Sequence, residues 1–214
     1  MANSAKDKIL FHIHSQGRGW VFSAADFTSN LPRWKIDRSL ADLARDGKIR
    51  RVMQGLYDYP MYSSILEKEV ATSIMKAAEA IARKYGWRLY PTGNMILNYF
   101  GLSTQMVAKC IQLSDGPSRT YRVGNREIFF RHIPSKEIGE YLETTLVIHA
   151  IKAAGERQIT KGFLSALSER YSASEWNRIK KDAAKTTGWI YRQICHIVDL
   201  LNEEESVRNN ANVG

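Results

Sequence analysis

One segment constrains the fold more than any other. Between Arg33 and Pro60 a strongly amphipathic helical run stops at Asp46-Gly47 and gives way at once to two β-prone runs around a glycine turn. Ile36, Leu40, Leu43 and Ala44 recur on one helical face, while Arg33, Lys35, Asp37, Arg38, Asp42 and Arg45 fall elsewhere, and Asp46-Gly47 supplies the stop. Lys48 to Val52 and Leu56 to Tyr59 flank Met53-Gln54-Gly55 and close at Pro60, the pattern of a hairpin. Upstream, Ile9, Leu10 and Ile13 give Lys6 to Ser15 a helical period that Gly17 ends. Ser23 is followed three residues later by Asp26, a helix-start spacing. Thr28-Ser29-Asn30 keeps this second helix brief, and Pro32 suits the opening of the third. Three helices and a hairpin in this order predict a winged helix-turn-helix over residues 1–62.

Residues 63–214 follow a different pattern and are expected to form a second, larger domain. Ile65, Val70, Ile74, Ala77, Ala78 and Ile81 predict a long helix from Ser64 to about Tyr85. Pro91-Thr92-Gly93-Asn94 then breaks the chain before a short helix around Met95 to Phe100. From Val107 to Pro134 polar and apolar residues alternate around Ser114-Asp115-Gly116-Pro117 and around Gly124-Asn125, the second turn reading as a hairpin. Helical patterning resumes at Ser135 and runs to near Asn202, with breaks expected at Gly155, Gly162 and Gly188 and a frayed polar tail from Glu203. The expected class is α+β and mainly helical, with a small antiparallel sheet in the second domain.

The 31 Lys and Arg against 22 Asp and Glu give a net charge of +9, which favours a polyanionic partner, nucleic acid first. Bulk charge does not locate the site, because residues 1–62 carry 10 basic and 6 acidic side chains and the remainder 21 and 16. Position does. In a winged helix-turn-helix the start of the third helix enters the major groove, so Arg33, Lys35 and Arg38 are the candidate DNA readers. Ser29 and Asn30 are candidate phosphate contacts, and Arg50, Arg51 and Gln54 sit on the expected wing. Trp34, beside a core position, is expected to pack against the neighbouring helix. A second basic group, Arg119, Arg122, Arg126 and Arg131 with His132, Lys109 and Lys136 nearby, suits an RNA- or phosphate-binding surface, an extension of the DNA footprint, or a charged strand edge. Lys180, Lys181, Lys185 and Arg192 read as a solvated helix face.

The sequence carries no Walker-type or dinucleotide glycine motif, no GxSxG and no Asp-x-Asp. His12, His14, His132, His149 and His196 lack the spacing of metal pairs, and Cys110 and Cys195 read as reduced thiols in apolar surroundings. No catalytic role, cofactor or metal is therefore expected. No apolar run approaches a membrane span and the N-terminus is polar, so a cytoplasmic protein without membrane contact is expected.

Leu40-Ala41-Asp42-Leu43, Asp46-Gly47-Lys48-Ile49-Arg50-Arg51 and Gly55-Leu56-Tyr57-Asp58-Tyr59-Pro60 resemble the winged-helix N-terminus of the AbiEi-like antitoxins of bacterial type IV toxin-antitoxin systems. Pro91 to Asn94, Leu97-Asn98 and Gly101-Leu102-Ser103-Thr104-Gln105 are similar to the entry of that family's C-terminal domain. The resemblance implies a bifunctional protein that represses its own operon by binding inverted repeats in double-stranded DNA. It also implies that the protein counteracts a nucleotidyltransferase-like toxin, with or without stable contact. Carried over by position, the DNA readers are those already chosen, Arg33 to Arg38 and the wing. The residue reading leaves two other functions open: a winged-helix regulator whose second domain senses a small ligand, and an enzyme delivered to nucleic acid by its first domain.

Overall fold

The structure is a computed structural model that describes residues 4–27, 31–65, 67–104 and 109–211, with side chains through residue 203. It is a mainly helical α+β protein. The chain forms two compact units, residues 1–89 with 109–131 and residues 90–108 with 132–214. The division expected at residue 62 is not where these units part, because the strands after residue 109 return to share a core with the N-terminal elements.

In the first unit, α1 (Ala5–Gln16) opens on a reciprocal cap between Ser4 and Asp7. β1 (Val21–Phe22) leads to a single 3-10 turn, Ala24–Asp26, also capped reciprocally through Ser23 and Asp26. The brief second helix is thus one turn among the described residues. α2 (Arg33–Arg45) ends where Gly47 takes a positive φ of 67° and Lys48 N–H donates to the Leu43 carbonyl at 3.0 Å, a stop that L side chains resist. β2 (Arg50–Met53) and β3 (Leu56–Asp58) form the expected hairpin, and the sheet order is β1-β3-β2. Ile9, Ile13, Phe22, Phe27, Ile36, Leu40, Leu43 and Tyr57 make one core.

The long helix expected from Ser64 begins only at Ile74. Instead β4 (Tyr62–Ser63) and β5 (Lys68–Glu69) pair in a two-rung antiparallel ladder. The next residues are not helical, and Val70's backbone is bonded elsewhere: its N–H donates to Met61 O at 2.7 Å, and Arg50 donates to its carbonyl at 3.0 Å. Ser73 then caps α3 (Ile74–Tyr85). A sheet of order β6-β7-β9-β8 follows, from β6 (Leu89–Tyr90), β7 (Cys110–Ser114), β8 (Arg119–Val123) and β9 (Arg126–His132). The expected hairpin at Gly124-Asn125 joins β8 to β9 antiparallel, Tyr121 opposite Ile128. Ala77, Ala78 and Ile81 of α3 share a second core with Leu56 of the first hairpin and Tyr121, Ile128 and Phe130.

The second unit packs α4 (Asn94–Tyr99), α5 (Leu142–Ala154), α6 (Lys161–Ser168), α7 (Ala173–Asp182) and α8 (Gly188–Ala211) around Trp176, Ile148, Leu167 and Ile194. Of the three expected glycine breaks, Gly155 ends α5 and the chain breaks just before Gly188, which opens α8, but Gly162 lies inside α6. The caps set these boundaries: Thr160 accepts from Phe163 N–H, and Ser172 with Glu175 starts α7. α8 continues through Ala211, past the expected fraying point. No helix among the described residues is long and apolar enough to cross a membrane.

Candidate nucleic-acid interface

Burial of Ile36, Leu40 and Leu43 fixes which way α2 faces. Arg33, Trp34, Lys35, Asp37 and Arg38 are consequently all exposed in its first two turns. Arg33 Nε donates to Asp37 at 3.0 Å, while Lys35 and Arg38 make no ion pair among the described residues. Trp34 departs from expectation. It does not pack on a neighbouring helix but is 61% exposed, with the Lys35 ammonium 5.4 Å from its ring centroid. Its helical phase, roughly opposite Ile36, was the signal that outweighed the usual burial of an indole. Ser29 and Asn30 lie outside the described residues.

The hairpin separates its two arginines. Arg51 and Gln54 are exposed, as a DNA contact requires. Arg50 is committed inward: its Nε and Nη2 donate to the buried Asp58 carboxylate at 3.1 and 2.6 Å, and Nη1 reaches Glu69 at 3.2 Å. Thr72 Oγ1 donates to the same Asp58 at 2.7 Å. The Asp58 hydrogen bonds hold the Arg50 guanidinium above its ordinary pKa. Arg50, expected on the DNA-facing wing, therefore ties the hairpin to the segment before α3.

The second basic group divides in a similar way. Arg126 donates to the Thr72 carbonyl at 2.6 Å, and Arg122 pairs with Glu127 at 3.4 Å. Arg119 and Arg131 are exposed and, together with Lys109, border a groove of about 600 Å³ whose lining includes Ile111, Thr120 and Phe129. Phe129 does carry a sequence signal: it interrupts the charged phase Glu127-Phe129-Arg131 of its strand, where alternation alone would place a polar residue.

In the second unit, a groove of about 610 Å³ is lined by Lys136, Tyr141, Arg178, Lys181 and Lys185 together with Asp182. Asp182 is spoken for: it accepts from Glu140 and Tyr141 N–H at 3.0 and 3.1 Å. Burial pushes its pKa up, but these bonds and one to Thr144 outweigh that and hold it below the ordinary carboxylate value. Arg178 lies 4.4 Å over the Tyr141 ring, and its Nε is buried without a hydrogen-bond partner. Deeper, Lys152 Nζ clasps both oxygens of buried Glu137 at 2.6 and 2.7 Å beside buried His149. Burial depresses His149 to about 4. Cys110 and Cys195 are free and half-buried. No group of three or more His, Cys, Asp or Glu side chains among the described residues is arranged to hold a metal ion.

Residues 8–169 match the model of DUF6088, a family of unknown function. The chain belongs to this family. The DUF6088 match takes in α2, the hairpin and the groove beside Phe129, and it ends just after α6. No curated protein and no solved structure matches the chain.

Proposed function

We propose that this DUF6088 chain is a DNA-binding autorepressor that also serves as the antitoxin of a type IV toxin-antitoxin system, and that it is not an enzyme. The observation that carries the DNA-binding part is the face of α2. A basic helix turn with an exposed indole stands on a buried apolar stripe, and exposed Arg51 and Gln54 lie on a hairpin that follows directly. The succession of α1, β1, a 3-10 turn, α2 and a hairpin supports the winged helix-turn-helix reading. A helix of this width fits the major groove, where Arg33 or Arg38 can pair with guanine and Lys35 with base or phosphate oxygens. Each bidentate contact discriminates by ~1 to 3 kcal/mol. Arg51 supplies sequence-blind, salt-dependent affinity. Arg50 is left out of this interface because Asp58 already holds it.

The antitoxin part rests on the resemblance of residues 40–60 and 91–105 to AbiEi-like antitoxins. In this reading the chain represses its promoter at inverted repeats and counteracts a nucleotidyltransferase-like toxin in the cytoplasm. A ligand-sensing regulator is the second reading, favoured by the Arg178–Tyr141 groove of the second unit with its unpaired guanidinium nitrogen.

The test is binding to the DNA upstream of the gene against a random duplex of equal length, across a salt series. A preference that persists at physiological salt and disappears in Arg33→Ala supports the repressor; equal binding to both duplexes overturns it. Co-expression with the neighbouring gene then decides the antitoxin part: rescue of growth supports it. A toxic neighbour that the chain fails to rescue, or a neighbour without toxicity, removes it.

A further inference from the structure

The four-stranded sheet has two faces, and the winged-helix reading uses neither. Tyr121, Ile128 and Phe130 point into the core shared with α3. Because side chains alternate along a strand, Thr120, Arg122, Phe129 and Arg131 point the other way. Thr120 stands directly opposite Phe129 in the β8–β9 register. Half-buried Phe129 and Ile111 thus form an apolar floor for the groove of about 600 Å³, while Lys109 and Arg131 stand at its rim.

The charge around this groove is one-sided. Among the described residues no carboxylate lines it, and neither Lys109 nor Arg131 takes part in an ion pair. Arg119 rests its guanidinium 5.7 Å from the centroid of the Tyr121 ring. Glu127, on the same strand face as Phe129, is engaged by Arg122 at 3.4 Å and is not among the residues that line the groove. Arg119 is in phase with Tyr121 and so belongs to the other face, which leaves Lys109 and Arg131 as the cations beside the aromatic floor. That pairing favours a ligand with both an anionic backbone and flat apolar faces.

We propose that this face binds single-stranded nucleic acid, with a base stacked on Phe129 and backbone phosphates on Lys109 and Arg131. A duplex presents phosphates but hides its base faces, so it has nothing to lay on Phe129; a single strand has both. An acidic polypeptide would satisfy the rim and leave the floor bare. The site is independent of the α2 face, so either can fail alone.

The experiment is fluorescence anisotropy of the full chain with labelled single strands of about eight nucleotides, oligo-uridine RNA and oligo-thymidine DNA, a length within the usual span of such sites. The wild-type chain binds at least one of them. Phe129→Leu weakens that binding about tenfold and Phe129→Tyr retains it, as stacking demands. Arg131→Ala and Lys109→Ala each weaken it and flatten its salt dependence by about one phosphate contact; as changes at the groove's rim, they carry the test should Phe129→Leu lower the melting temperature. Binding of the upstream duplex is unchanged in all four variants. RNA binding without DNA binding identifies the 2′-hydroxyl as part of the ligand; equal binding identifies the shared chemistry of base and phosphate. The proposal is overturned if neither strand binds at low salt, if polyglutamate competes as well as the oligonucleotides, or if single-strand binding is lost in Trp34→Ala but kept in the groove variants.

Discussion

Trp176 and Trp34 stand in opposite situations. Trp176, in the second unit, has no exposed surface, sits 5.8 Å from the Tyr171 ring and donates its indole N–H to Ser168 O at 2.9 Å. Trp34, in the first unit, is 61% exposed at the start of α2. A large apolar side chain stabilises by leaving water, so the second unit uses its tryptophan for folding. The first unit leaves its tryptophan hydrated, available to a partner that desolvates it. The largest predicted difference follows. Trp176→Ala costs about 3 to 5 kcal/mol of stability, whereas Trp34→Ala changes stability by less than about 0.5 kcal/mol and weakens duplex binding. Urea unfolding of both variants alongside duplex titrations measures the contrast, and a stability loss at Trp34 matching that at Trp176 would break it.

The contrast between buried and available groups extends to titration. His149 is buried beside Glu137 in the second unit, and burial lowers its folded pKa from 6.5 to about 4. The unfolded chain therefore takes up a proton first as the pH falls, and stability is lost between pH 6.5 and about 4. At 1.36 kcal/mol per pKa unit the loss approaches about 3 kcal/mol at the acid end of that window. Unfolding midpoints measured across this range should fall steadily, and His149→Gln should flatten the slope. An unchanged slope in that variant would move the acid sensitivity to another group.

Within the hairpin the same comparison applies to neighbouring residues. Arg50→Ala leaves buried Asp58 with the Thr72 hydroxyl as its remaining side-chain donor. The expected cost is about 2 to 3 kcal/mol, less than for a fully buried pair because Arg50 is a third exposed. Arg51→Ala leaves stability within about 0.5 kcal/mol, while it weakens binding to specific and random duplexes alike. Paired melting and binding curves separate the two roles.

How much of this was legible in the sequence depends on the range of the interaction. The α2 stripe, its glycine stop and the β8–β9 hairpin are set by residues a few positions apart, and all three are readable. The placement of Arg50 was not. An unbroken register around Gln54-Gly55 pairs Arg51 with Asp58, but an irregularity between Arg51 and Met53 shifts the strand so that Arg50 stands opposite Asp58. One residue of slip exchanges a structural arginine for an exposed one. The false helix after Ser64 has a comparable cause: Ile65 and Val70 fit a helical period, yet Val70 is bonded to Met61 and Arg50, and Ile65 is exposed. The groove beside Phe129 needs three strands and a residue before the first of them, a juxtaposition no local pattern encodes. The two units part where the chain returns at Lys109, again a long-range event.

The smallest predicted effect sharpens the α2 reading most. Asp37 accepts from Arg33 Nε at 3.0 Å on an open surface, and both side chains are more than half exposed. Such a pair at i, i+4 stabilises a helix by only ~0.3 to 0.5 kcal/mol, so Asp37→Asn should barely move the unfolding midpoint. Its effect on DNA is predicted to differ in size between duplexes. Removing a carboxylate from a face that meets phosphate strengthens random-duplex binding by about twofold to threefold at low salt, an effect that fades as salt rises. Binding to the upstream duplex gains less, because Arg33 loses the group that holds its guanidinium in one orientation for a base edge. The ratio of specific to random affinity therefore falls although both affinities can rise. If the ratio is unchanged while both affinities rise together, Arg33 meets phosphate rather than a base, and discrimination passes to Arg38 and Trp34.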